Sequence, residues 1–361
     1  MKYDFTSILD RRGKDAIAVD APYVEGCFNH EYFAAATLKE GMDWIPMWVA
    51  DMNFPTVPTV QKAVVERTAH PAFGYFSPRD EYFGEIIKWQ ETRNQVTGLT
   101  KECIGYENGV LGGVISALNV LCSKGDSVLV HSPTYVGFTG ALTNNGYYIV
   151  HSALKKDEEN VWRMDFADME KKIVENHIHA CIMCSPHNPT GRVWERWELE
   201  KAMELFKKHD VYVVSDEIWS DLILGENKHI PTQMISEDAR NRTVAMYAPS
   251  KTFNLAGCQN SFAIIPDPDI RRRFDGFVEG IRIHGGNPFG YVAVEAAYRG
   301  GRQWFEQVRD IIYGNYEYVR ESLKKSLPGA VVSPLEGTYL LWIDFGAYLP
   351  ASEIKSFMED K

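Results

Sequence analysis

Three polar side chains of this 361-residue chain each follow a short apolar run. Lys251 stands in Ala248-Pro249-Ser250-Lys251-Thr252-Phe253-Asn254-Leu255-Ala256-Gly257, after the β-like stretch Thr243-Val244-Ala245-Met246-Tyr247. An ammonium delivered to the edge of a buried sheet loses part of its hydration. Its pKa falls, and it becomes an amine nucleophile able to condense with a carbonyl group. A lysine left on the surface is the alternative. Asn188, in Asn188-Pro189-Thr190-Gly191, and Asp216, in Ser215-Asp216-Glu217-Ile218, end two further apolar runs. An amide donor, a carboxylate and an amine are thus expected at the ends of three strands.

The elements that must position them follow from the hydrophobic pattern. From about residue 105 to 265, strand-like runs alternate with amphipathic segments, the pattern of a parallel sheet wrapped by helices. Strands are predicted at Ser127 to His131, Tyr147 to His151, Ala180 to Cys184, Val211 to Ser215, Thr243 to Tyr247 and Ser261 to Ile265. Helices are predicted at Val110 to Leu121, with Leu111, Ile115, Leu118 and Leu121 on one face, and at Glu195 to His209, with Leu199, Met203 and Phe206 aligned. Ligands of such sheets bind beyond the carboxyl ends of the strands, where Asn188, Asp216 and Lys251 fall. The first fifty or so residues read as loop, with Pro22, Gly26, Gly41 and Pro46, and should wrap over the body. After about residue 285 a charged helix, Arg302 to Leu327, precedes Val331-Val332 and a strand over Tyr339-Leu340-Leu341-Trp342-Ile343, suggesting a small α+β domain.

Bulk composition narrows the function classes. Lys plus Arg number 38 against 49 Asp plus Glu, and the net charge of −11 opposes nonspecific nucleic-acid binding. The Arg271-Arg272-Arg273 cluster reads as a solvated helix face. No apolar tract is long enough for a membrane span, and Met1-Lys2-Tyr3-Asp4-Phe5 opens no signal peptide, so a cytoplasmic protein is expected. Six cysteines lack framework spacing, so reduced thiols are expected. Cys181-Ile182-Met183-Cys184 has CxxC spacing but lies inside an apolar run without a second Cys or His pair. It reads as buried strand, with His177 and His179 alternating into it, and no metal site is expected.

The order Asn188, Asp216, Lys251 resembles the pyridoxal 5'-phosphate enzymes of the aspartate-aminotransferase fold, fold type I. In that family Asp216 would sit beside the pyridine nitrogen and keep it protonated, so that the ring can accept electrons. The alternative is an aspartate capping the next element. Asn188 would donate to the phenolic oxygen of the ring, and Lys251 would form the resting imine and later remove the α-proton. Asn108-Gly109-Val110-Leu111-Gly112-Gly113 opens a helix and offers backbone amides to the phosphate, especially at Gly109, Val110 and Leu111. Ser250 can add a hydroxyl. Tyr135, in Ser132-Pro133-Thr134-Tyr135, matches the position whose ring stacks on the cofactor, with a core tyrosine as the rival. The resemblance also implies that Tyr75 reaches the phosphate of a neighbouring subunit, which makes a homodimer the expected assembly.

Longer motifs narrow the branch. Trp48-Val49-Ala50-Asp51-Met52-Asn53-Phe54-Pro55, Gly74-Tyr75, Asp216-Glu217-Ile218-Trp219-Ser220-Asp221-Leu222, Lys251 to Gly257, and Glu336-Gly337-Thr338-Tyr339-Leu340-Leu341-Trp342 are similar to the cystathionine β-lyase-like, or C-S lyase, branch. The likeness implies an α/β fold: an arm over 1–50 packing on the small domain, a large domain over 51–285 with a mostly parallel seven-stranded sheet sandwiched by helices, and a truncated small α+β C-terminal domain over 286–361. It implies a lyase that releases a thiol, pyruvate and ammonia from cystathionine or a cysteine-type L-amino acid. An aminotransferase is the runner-up, and a weakly catalytic regulator that binds a transcription factor is a third reading. Asn53 departs from the Asp more usual in the branch, Trp219 from a His or Tyr, and Gln259 from the phosphate-binding Arg of many aminotransferases. Family members usually continue beyond Asp360-Lys361 to a strand bearing the arginine that clamps the substrate carboxylate. Arg282 and Arg299 lie outside the matching motif, and no clamp is assigned.

Overall fold

Small and β-branched apolar residues fill the runs between residues 104 and 264, and they pair into one seven-stranded sheet. The computed structural model describes residues 3–34, 41, 45–283 and 285–360. The strands are β1 (Ile104–Glu107), β2 (Ser127–Ser132), β3 (Tyr148–Ala153), β4 (Ala180–Cys184), β5 (Tyr212–Asp216), β6 (Thr243–Tyr247) and β7 (Ser261–Ile264). Their order across the sheet is β1-β7-β6-β5-β4-β2-β3. Neighbours from β6 through β3 run parallel, whereas β7 is antiparallel to both β6 and β1. The six strands read from the sequence all form, with ends moved by no more than two residues. The seventh, β1, is four residues long, Ile104-Gly105-Tyr106-Glu107, and its glycine and glutamate hid it from a periodicity search.

Period-two alternation divides each central strand between two cores. Ala180, Ile182 and Cys184 of β4 face the helix Val110–Leu121, together with Val214, Val244 and Met246. Cys181, Met183 and Val213 face the helices Phe166–Glu175 and Arg196–Lys208. Cys181 and Cys184 therefore lie on opposite faces of the sheet, which removes any shared chemistry from the CxxC spacing. His177 sits in a left-handed turn (φ 49°) before β4 begins, so the expected alternation does not reach it. A third core joins the helices Pro58–Thr68, Asp80–Asn94, Pro288–Gly300 and Arg302–Ser326 to Phe5, Met52 and Leu335. Phe5 packs edge-on against Trp304 at 5.6 Å, so the chain's beginning lies on the long C-terminal helix.

Two expectations need correction. The run Tyr339 to Ile343 is not a strand: only Ile343–Asp344 pairs, with Val331–Val332. Thr338 adopts φ 68° and its Oγ1 accepts from the Leu340 amide at 3.0 Å, so the chain turns there and spends its apolar side chains on packing. The Arg271-Arg272-Arg273 cluster is not uniformly solvated. Arg271 is half-buried, pairs with Asp275 and donates to the Ile104 carbonyl, whereas Arg272 and Arg273 are exposed, Arg273 donating to the Val120 carbonyl.

The C-terminal turn is fastened to the large sheet through charge. Arg192 is buried and donates to Glu198 (2.6 Å), Glu195 (2.9 Å) and Glu336, while the Val193 amide also donates to Glu336 (2.9 Å). Glu198 doubles as the reciprocal partner of Glu195 in the capping box of Arg196–Lys208. Replacing Arg192 with Met strands buried Glu198 and Glu336 without their main cation. Urea unfolding of R192M should show a loss of about 3–5 kcal/mol. A loss below about 1 kcal/mol would mean that Arg163, 3.4 Å from Glu198, suffices alone.

Candidate active site

Sheet register brings three strand ends together. Cys184 of β4 lies opposite Asp216 of β5, and Asp216 lies opposite Met246 of β6. Asn188 follows β4 by four residues, held where its amide lies 3.4 Å from Cys184 Sγ, and Lys251 follows β6 by four. Asp216 and Lys251 sense each other's charge across the gap between β5 and the turn after β6.

Asp216 is nearly inaccessible to water. Burial pushes its carboxyl up to about 7, against the opposing pull of the Ile218 amide, which donates to Oδ1 at 3.1 Å, and of Lys251. Burial likewise lowers the Lys251 ammonium, with Asp216 and Asp51 opposing. An acid and an amine of opposite ordinary ranges are thus both drawn toward neutrality. Nζ of Lys251 donates to the Ala50 carbonyl at 2.7 Å and lies 5.4 Å from the Trp219 ring centroid. Beneath Asp216, Glu217 stays ionised although burial opposes it, because His229 (2.8 Å), Tyr247 (2.6 Å) and the Thr232 amide (3.0 Å) all donate to it.

Tyr135 ends the segment after β2 and begins the helix Val136–Asn144. A Cβ on Gly137 would fall 2.3 Å from its ring, so the half-buried ring lies against bare backbone. Burial, with Asp216 nearby, raises the phenol's pKa. At the start of the helix Val110–Leu121, Gly109 adopts φ 78° and no side chain caps the first amides. A Cβ there would stand 3.3 Å from Gln259 Oε1, so glycine keeps open a cradle that Gln259 flanks. Ser250 precedes Lys251 in its turn and is half-buried. Tyr75 is fully exposed.

Several groups at the site escaped the sequence reading. Ala50 belongs to a strap, residues 50–54, held by distant residues: Arg11 grips Asp51 with both nitrogens (2.9 and 2.6 Å), and Asn254, at φ 56°, bonds Met52 and Phe54. Tyr339 donates to the Ala50 carbonyl at 2.9 Å. The motifs containing Ala50, Asn254 and Tyr339 stood out in the sequence, but nothing local assigned them these contacts. His131 and His187, beside the segments bearing Tyr135 and Asn188, are buried with ring centroids 6.3 Å apart. Burial lowers them to about 4 and about 3, so both stay neutral. Glu107, at the end of β1, is fully buried beneath Gly112 and Gly113, and neither carboxylate oxygen meets hydrogen-bond geometry. Burial lifts it to about 7, with the Ser116 hydroxyl and the Asn108 amide opposing. Among the described residues no group of His, Cys, Asp and Glu is placed to hold a metal ion.

Residues 43–359 match the aminotransferase class I and II family. The chain belongs to that family. It is 36% identical over 320 residues to the cystathionine beta-lyase PatB of Bacillus subtilis, covering 88% of this chain and 82% of PatB. Cystalysin of Treponema denticola, solved with pyridoxal 5'-phosphate, superposes with a TM-score of 0.89 at 32% identity, over 99% of this chain and 88% of that one. The PLP-bound C-S lyase of Staphylococcus hominis gives 0.86 at 30% identity, over 100% and 86%. The matched residues, 43–359, include the cradle, the three strand-end residues and the strap.

Glu107 supplies a test of the cradle's electrostatics. Its carboxyl ionises near 4.3 in an unfolded chain but near 7 when folded, so the unfolded state loses its proton first and folding weakens as pH rises across that interval. Glutamine carries no such penalty. In cofactor-free protein, E107Q should match the wild type at pH 4.5 and exceed it by on the order of 2–3 kcal/mol at pH 8. A pH-independent difference in urea unfolding would count against a buried, uncompensated acid.

Proposed function

We propose that Lys251, Asp216, Asn188 and Tyr135 hold and activate pyridoxal 5'-phosphate, and that the protein is a carbon–sulfur lyase acting on cystathionine or a cysteine-type L-amino acid. The observation that carries the residue assignment is the convergence of a pKa-lowered lysine and a pKa-raised aspartate at adjacent strand ends. The site suits the group: a helix N-terminus without a side-chain cap is open to its phosphate, and a ring half-buried against glycine offers a stacking face. Bound here, the cofactor supplies a sink for the electron pair left at the substrate's α-carbon.

The chain's residues do the rest. Asp216, whose carboxyl burial raises to about 7, would share its proton with the pyridine nitrogen and hold that nitrogen cationic. Asn188 donates its amide to the phenolic oxygen. Gly109, Val110 and Leu111 offer backbone amides to the phosphate, Ser250 a hydroxyl and Gln259 a neutral side chain. Lys251, as the free amine, would take the substrate α-proton onto Nζ, and the Cβ–S bond would break with its electron pair on sulfur. Water completes the release of pyruvate and ammonia. Exposed Tyr75 belongs in this reading to a neighbouring subunit's phosphate site, in a cytoplasmic homodimer with the arm, large-domain and small-domain division expected from the sequence.

Cystathionine without added keto acid should yield pyruvate, ammonia and thiol in equal amounts. Amino-group transfer that requires a keto acid, with no free ammonia, would instead establish an aminotransferase. Borohydride should fix the cofactor's mass to the Lys251 peptide, and K251A should lose both the label and turnover. For Asp216 the expectation is separate. D216A should retain cofactor yet exchange the substrate α-proton several orders of magnitude more slowly, because an unprotonated ring is a poor sink. A loss under about tenfold, one order being 1.4 kcal/mol, would remove Asp216 from that role.

A further inference from the structure

The acceptor that meets Lys251 is a backbone carbonyl in a strap that Arg11, Asn254 and Tyr339 hold in place. Arg11 fixes Asp51 through two short bonds, and Asn254 takes the Met52 amide (3.1 Å) and the Met52 (2.9 Å) and Phe54 (3.0 Å) carbonyls. Asn254 and Lys251 share one turn, closed by Phe253 to Pro249 and Leu255 to Ser250 bonds, so strap and lysine cannot drift apart independently. Tyr339 donates to the same Ala50 carbonyl and meets Trp219 edge-on, with ring centroids 4.8 Å apart at 79°. Trp219 is buried, and its face lies toward Nζ. A carbonyl oxygen and an aromatic face are what an ammonium prefers when water is scarce.

We propose that the Ala50 carbonyl and the Trp219 ring form a docking station for the Lys251 ammonium, occupied whenever the lysine is not joined to cofactor, with Trp219 as a positioning residue acting through Lys251. The proposal rests on the reading of Lys251 as the cofactor-linked base. It gives the proton removed from the substrate α-carbon a defined resting place on Nζ, and it makes Trp219 a determinant of the pH at which the lysine becomes a free amine. The charged and titratable groups facing Nζ are Asp216 at the end of β5, Asp51 in the strap with Arg11 behind it, and Tyr339 across the shared carbonyl. These stay constant when Trp219 alone is changed.

Competitive acetylation of the cofactor-free full chain across pH 6 to 11, read by mass spectrometry on the Lys251 peptide, reports the midpoint of that amine alone. Trp219→Met removes the aromatic face while keeping an apolar side chain and should lower the midpoint by about half a unit to one unit. Trp219→Phe should recover most of the shift. If the Met variant does not fold, uniform incorporation of fluorinated tryptophans weakens the ring face with little change of shape, and the midpoint should fall stepwise with fluorine number. A merely structural role for Trp219 would lower the melting temperature without moving the midpoint. An unmoved midpoint in folded variant or fluorinated protein, or equal shifts in Met and Phe variants, overturns the docking station. Borohydride label on another lysine would instead sink the parent assignment, which this cofactor-free measurement does not touch.

Discussion

A carboxylate and an ammonium removed from water beside one another dominate this molecule. Each loses hydration that a hydrogen bond or two only partly restores, so each is displaced from its ordinary titration range. That displacement exists only while the sheet excludes solvent. The parallel register of β4, β5 and β6, filled on both faces by apolar side chains, keeps Asp216 dry, and the turn after β6 returns Lys251 to it. The buried Glu217 network beneath is the cost of turning the chain there: a second carboxylate enters the core and is stabilised by His229, Tyr247 and Thr232.

The site is also closed by parts of the chain remote in sequence. Residues 11, 50–54, 219, 254 and 339 meet around one carbonyl, so the beginning, middle and last part of the chain share a single contact region. Hydrophobic packing supports this arrangement, since Phe5, Met52, Phe253, Trp304 and Leu335 belong to one core. Strap, lysine turn and C-terminal turn therefore pack on one common core.

Lys251, Asp216 and Asn188 were legible because each ends an apolar run, and strand periodicity alone predicts where such residues emerge. Their partners were not. Ala50 contributes a backbone oxygen, which carries no side-chain signature, and Arg11 and Tyr339 reach it across separations that no local pattern encodes. Glu107 was hidden because β1 is short and its burial depends on the helix laid over it. The run Tyr339 to Ile343 misled in the opposite sense. Its apolar alternation resembles a strand, but Thr338 in a left-handed conformation redirects the chain, and Tyr339 serves the strap. Six of the sheet's seven strands, by contrast, were readable to within two residues, because a sheet buried on both faces leaves continuous apolar runs.

Glu336 offers a lesson for exchanging modules among relatives. Its carboxylate enters the large sheet's territory, where Arg192 and the Val193 amide receive it, while its backbone bonds Gly191 and Leu224. Gly191, Arg192 and Val193 follow directly on the turn that presents Asn188. A C-terminal module grafted from another family member would thus carry, with its own fold, one half of a charge lock whose other half is written into the segment that follows Asn188. Compatibility between donor and host is decided at that lock, and a transplant lacking an acid at this position would disturb the alignment of Asn188 even if its substrate contacts were ideal.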